Sequence, residues 1–194
     1  MQQELVFMAR KKEYIEEEVI EKAMMLFWRN GYENTSTRML EKEMGINQFS
    51  IYSSFGNKHG VFLESIKCYK TKIKQITDRL KESTETVEGI KQYFYDFIEF
   101  SKESELNKGC LLINTTNELD IDGDPLVLDE ILEFMNELRT LFVDNLKLNI
   151  SKNEKTIKKQ ADYLIVSMTG LSVASKVFSE ELLSSYIETT FENI

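Results

Sequence analysis

The 194 residues include one proline, one histidine, one tryptophan, two cysteines and eight glycines. With a single imidazole, His59, and two thiols, Cys68 and Cys110, at no metal-ligand spacing, neither a zinc centre nor a disulfide framework is expected. Each thiol reads as a small buried hydrophobe. No apolar run approaches the roughly 20 residues needed to cross a bilayer. The opening stretch, MQQELVFMARKKEY, lacks the apolar core and small-residue cleavage site of a signal peptide, so a cytoplasmic location with no membrane partner is expected. An excess of positive charge is missing too: 24 Lys and Arg face 33 Asp and Glu, a net charge of −9. Residues 1–60 hold eight of the cations against nine acids, a net of −1, which leaves −8 for the remainder. Affinity for a polyanion scales with the cations set against it, so any nucleic-acid contact must rely on a few well-placed ones.

What remains is 42% hydrophobic residues, enough to bury a substantial core, and they are spaced for helices. Sustained period-two alternation is absent, as are internal repeats and low-complexity tracts. The apolar spacing predicts a first helix over 12–30, carrying Ile15, Val19, Ala23, Leu26 and Phe27 and stopped by Gly31 in a left-handed turn. A long helix over 58–81, capped by Asn57, carries Phe62, Ile66, Tyr69, Ile73, Ile76 and Leu80 on one stripe. Further helices are predicted over 86–104, 110–119, 125–150, 153–178 and 179–192, the one at Pro125 marked by Asp124 as cap and proline in the first turn. The fold class is all-α.

The segment Gly31 to Lys58, GYENTSTRMLEKEMGINQFSIYSSFGNK, reads as two short helices joined by a turn at Gly45. Ser36 and Thr37 can cap the first, to about Met44, and Asn47 the second, from Gln48 to Phe55. Ile51 and Phe55 share one face of the second helix, while Phe49, Ser50 and Ser53, flanked by Gln48 and Tyr52, lie on the opposite one. Hydrogen-bonding and aromatic groups facing away from the core suit a DNA major groove. Ala23, Leu26, Phe27, Gly31, Tyr32, Thr35, Ser36, Leu40, Gly45, Ile46, Ile51, Tyr52, Phe55 and Lys58 together make the chain resemble the TetR/AcrR family of bacterial transcription regulators. Gly109 to Asn114, GCLLIN, also looks like a run found in one branch of it.

The resemblance implies a three-helix DNA-binding domain over 1–57 and a helical effector-binding and dimerisation domain over 58–194, about nine helices in all. By position in the motif, Thr35, Ser36, Thr37, Tyr52 and Lys58 are expected to hold phosphates. Arg38, Gln48, Phe49 and Ser50 are expected to face base edges, with Ser53 beside them. Arg10, Lys11 and Lys12, ahead of the first helix, would add phosphate contacts. Ser53 and Ser54 stand where the family usually has larger residues, and Gly60 is expected to loosen the start of the fourth helix. The expected partners are a double-stranded operator, a second copy of the chain and a small-molecule effector of unknown identity, with no cofactor. The expected function is a ligand-released repressor on a palindromic operator.

Apolar stripes at Leu164, Ile165, Met168 and Ser172, and at Leu183, Tyr186, Ile187 and Phe191, either complete the core or face a partner; the resemblance favours a dimer interface. Tyr69, Phe94, Phe97, Phe134, Phe142, Tyr163 and Met168 either pack the core or line an effector pocket. Asn114 and Asn117, with Thr115, are polar positions in an apolar helix and the nominated polar contacts. Two patterns read as decoys. The segment from Glu118 to Asp129 copies the spacing of a calcium loop, with Asp120, Asp122 and Gly123 in register, but has the wrong acid at both ends and Pro125 within. His59 with Cys68 or Cys110 is too little for catalysis, so no enzyme activity is expected. The competing reading is a helical small-molecule or protein-binding dimer that has lost operator binding.

Overall fold

The computed structural model describes residues 14–102, 108–118, 124–192 and 194. The cluster Arg10, Lys11, Lys12 and the loop residues Asp120, Asp122 and Gly123 lie outside the described residues. Among those described, the helices are α1 (Glu16–Asn30), α2 (Thr37–Met44), α3 (Gln48–Phe55), α4 (Lys58–Glu82), α5 (Val87–Lys102), α6 (Leu111–Thr116), α7 (Pro125–Lys147), α8 (Glu154–Ala174) and α9 (Glu180–Phe191), with no strand.

Polar side chains fix most of the starts. Ser36, Asn47, Asn57, Asn153 and Ser179 each accept from the backbone N–H three residues on, and Asp124 accepts from Leu126 and Val127. Each such cap is worth about 1 kcal/mol. α1 has no capping side chain and instead carries Glu16, Glu17 and Glu18 where the helix dipole favours negative charge. α7 and α8 end earlier than expected, at Lys147 and Ala174. Past Ala174 the chain tightens: Ser175 donates to Ser172 O at 2.9 Å, and the Val177 and Phe178 amides both go to Ala174 O at 3.0 Å.

Val19, Ala23, Leu26 and Phe27 of α1 pack with Leu40 and Met44 of α2, Ile51 of α3 and Val61 and Phe62 of α4. Phe27 meets Phe62 edge-on at 4.9 Å between ring centroids. Further along, α4 turns Tyr69, Ile73, Ile76 and Leu80 into a second packing region with Ile90, Tyr93, Phe94 and Phe97 of α5, Phe142 of α7, Met168 of α8 and Phe191 of α9. Burying each large side chain contributes about 1.5–3 kcal/mol, so α4 is held from both ends.

Four contacts from the stretch around α6 tie these regions together. Trp28 Nε1 donates to Gly109 O at 3.1 Å, and Cys110 N donates to Ser172 Oγ at 2.8 Å. Glu33 N donates to Glu118 Oε2 at 2.9 Å, and His59 Nε2 pairs with the Asp124 carboxylate. Gly31 has a positive φ, as expected of a stop, but its ψ of 168° leads the chain outward instead of closing a left-handed turn. The positive φ is what favours glycine here, and it lets the Glu118 carboxylate lie where a Cβ would otherwise stand.

Candidate nucleic-acid interface

α3 packs against α2 and α4, and its packing is one-sided. Ile51 is buried, Phe55 is half-buried, and Phe49 is 82% exposed, with Gln48 and Ser53 also in the open. Tyr52 is exposed, and its hydroxyl accepts from Gln48 Nε2 at 2.9 Å, which holds both side chains along one edge of the helix. The Gln48 amide donates to Glu41 Oε1 at 3.1 Å, fastening the start of α3 to α2. From behind, the Tyr14 hydroxyl bonds Ser54 Oγ at 2.7 Å and donates to Ser50 O at 3.4 Å. Ser50 is half-buried as a result and sits at the flank of the outward face.

Arg38 is exposed on α2, and Ser36 is exposed while its hydroxyl caps that helix; Thr37 is half-buried at its first position. Lys58 lies 4.2 Å from the centroid of the Tyr32 ring, a cation–π contact that aims the ammonium beside the start of α4. Tyr32 was part of the motif but drew no role from the sequence; its service is to hold Lys58. Thr35 corrects an expectation. It is fully buried and its hydroxyl donates to Gly31 O at 2.6 Å, so it braces the turn between α1 and α2 and cannot reach a phosphate. Gly60 corrects another: it brings the first turn of α4 against Phe55 O, where no Cβ would fit, so it tightens the junction of α3 and α4.

Of the residues nominated for an effector, Tyr69, Phe94, Phe97, Phe142 and Met168 are buried together in the second packing region, with Phe134 at its margin. Among the described residues Asn114 Oδ1 is buried with no hydrogen-bond partner, and the buried Tyr69 hydroxyl adjoins the Cys110 thiol and the Leu111 backbone. Burial first, then the adjoining Cys110 thiol, pushes the Tyr69 phenol well above its ordinary range. Asn114 Nδ2 donates to Lys108 O at 2.6 Å. Two nominations fail. Asn117 is exposed at the end of α6, and Tyr163 is 49% exposed on the outer side of α8. An open cleft of about 1100 Å³ between α1, α4 and α7 involves none of the nominated residues; Glu17, Glu21, Glu64, Glu130 and Glu133 line it, with Cys68.

The stripes nominated for a partner need a similar correction. Leu164, Met168, Ser172, Leu183, Ile187 and Phe191 are buried within the chain's own core and Ile165 is half-buried. Of the nominated residues Tyr186 is exposed, and the outward apolar side of α8, α9 and the turn between them is made by it with Tyr163, Val166, Val173, Val177 and Leu182. Helical periodicity reveals that a helix has apolar stripes, and here two stripes run side by side, one facing in and one out. Asp124 and His59, both drawn into decoy patterns, are occupied with each other.

Residues 19–65 match the profile described as bacterial regulatory proteins, tetR family. An uncharacterised HTH-type transcriptional regulator of Bacillus subtilis, YezE, is 27% identical over 179 residues, covering 89% of this chain and 92% of its own. The Staphylococcus aureus IcaR, a negative regulator of the biofilm operon icaADBC, is 23% identical over 145 residues, 72% of this chain and 75% of its own. Among solved structures, a cysteine mutant of the TetR-family regulator CifR complexed with 26-bp double-strand operator DNA superposes with a TM-score of 0.80 at 24% identity, covering 94% of this chain and 98% of that one. A TetR regulator from Legionella pneumophila gives 0.77 at 18% identity, over 95% and 100%. With α2 and α3 presented as a helix-turn-helix and the family profile lying on the same residues, the chain is a transcriptional regulator of the TetR family.

Proposed function

We propose that this regulator is a cytoplasmic, non-enzymatic repressor that binds a palindromic operator as a homodimer and is released by a small molecule. The observation that carries the reading is the unpacked face of α3, where Phe49 stands 82% exposed between Gln48 and Ser53 with Tyr52 alongside. An aromatic ring left that far in water has a cost which contact with a thymine methyl offsets. Gln48, Phe49 and Arg38 read base edges, with Ser50 and Ser53 at the margin; Ser36, Thr37, Tyr52 and Lys58 hold phosphates.

Residues 1–57 form the DNA-binding domain and 58–194 the effector-binding and dimerisation domain. The outward apolar side of α8 and α9 supports pairing of two copies, because its six exposed apolar side chains would gain from being covered. For the effector, the buried Asn114 Oδ1, which lacks a partner among the described residues, supports a site among α4, α5 and α6 with the Tyr69 hydroxyl as a second buried polar group: a ligand supplying a donor would gain from it. The test is a gel-shift titration with DNA flanking the protein's own gene. Arg38→Ala and Tyr52→Ala are each expected to weaken binding about tenfold, and Lys58→Ala to reduce the salt dependence by about one ion per site. Parental binding in all three variants across salt concentrations would refute the reading.

A further inference from the structure

Gly109 O and Cys110 N belong to one peptide unit. The carbonyl accepts from Trp28 Nε1 in α1 at 3.1 Å, and the N–H donates to Ser172 Oγ in α8 at 2.8 Å. A trans peptide is planar and its C=O and N–H point in opposite directions, so this unit is a rigid strut between the two helices. Both ends are anchored in packed surroundings. Ser172 is fully buried, and Trp28 is held edge-on by Tyr69 at 5.1 Å and stacked on Phe100 at 5.7 Å between ring centroids. Gly109 sits at φ 65°, and a Cβ there would overlap Ser172 O, which leaves the strut one seat against α8. Rotating the unit breaks both bonds together. A few residues on, Glu118 fastens the turn between α1 and α2 through the Glu33 amide.

We infer that the peptide joining Gly109 to Cys110, with Glu118, is the joint that sets the tilt of the DNA-binding helices against α8, making Trp28, Ser172 and Glu118 positioning residues for the separation of the two recognition helices. The residues exposed near this seat, Val173 on α8 and Val177 in the turn after it, belong to the side given above to the partner copy. Pairing therefore fixes α8, α8 fixes the strut, and the strut fixes α1. The operator half of this inference rests on the proposed dimeric repressor; the strut itself does not.

The single tryptophan makes the joint observable. Its indole N–H gives one resonance in a 1H–15N spectrum of the full chain. In Ser172→Ala the freed peptide is expected to shift that resonance and speed its exchange with solvent about tenfold. An unchanged indole signal in a folded Ser172→Ala overturns the strut. The second arm uses duplexes carrying the site bound in the gel-shift titration, with its half-sites moved by one base pair in either direction. Parent protein is expected to favour the native spacing about tenfold, and Glu118→Ala, at a half-buried position that leaves the core intact, to flatten the preference below about threefold while Glu118→Gln keeps it. Full spacing preference in Glu118→Ala overturns the positioning role. Failure of the parent to bind any of these duplexes refutes the repressor reading, and the indole resonance then decides the strut alone.

Discussion

Replacing Thr35 by valine separates two roles for one hydroxyl. The methyl-for-hydroxyl swap keeps the shape of a fully buried side chain but leaves Gly31 O without its 2.6 Å donor. The expected cost is about 1–2 kcal/mol, read as a lower midpoint in urea, with the salt dependence of DNA binding unchanged. A phosphate ligand would do the opposite. Two buried phenols carry a second prediction. Burial is the largest cause raising both Tyr69 and Tyr93 above the ordinary value of 10.0. As pH climbs past 10 the unfolded chain loses these protons while the folded chain retains them, so stability holds up to that point and then declines. Alkaline titration of the melting temperature is expected to show the decline, and Tyr69→Phe or Tyr93→Phe to make it shallower.

At the scale of elements, Asn47→Ala is expected to cost about 1 kcal/mol by leaving the Ser50 amide of the short α3 without its 2.8 Å acceptor. Hydrogen exchange should speed in α3 before it speeds in α4, because α3 has one buried side chain, Ile51, and α4 has eight, spread from Val61 to Leu80. The starts of α2, α3, α4 and α7 were legible in the sequence because a cap is a local event between a side chain and an amide two or three residues away. The face of α3 was legible for the same reason: Ile51 and Phe55 are one turn apart. Which stripe of α8 turns inward was not, since Leu164 and Val166 are equally apolar and only the position of α7 and α9 separates them. Thr35 was misread because its motif position resembles that of its exposed neighbours Ser36 and Arg38, while its burial depends on the turn at Gly31 and on Glu118, 85 residues from the amide it binds.

For the whole molecule, charge placed on the outward side of α8 tests assembly without touching the core. Val166 is 71% exposed, so Val166→Glu is expected to leave helix content intact and convert the dimer to a monomer in sedimentation. Leu164→Ala, two residues away and fully buried, is expected to cost about 2–5 kcal/mol of stability instead. If Val166→Glu sediments like the parent, pairing runs through some other surface. The distribution of acid has its own consequence for how the protein finds a duplex. Residues 61–194 carry −8 of the −9, and residues 1–60 only the remaining −1. Near a polyanion such a body feels a torque: its distal bulk is pushed off while the end bearing Arg38 and Lys58 swings round to lead. Collisions on the wrong side are thus turned away before contact, and the search for a site proceeds with the reading helix already facing forward.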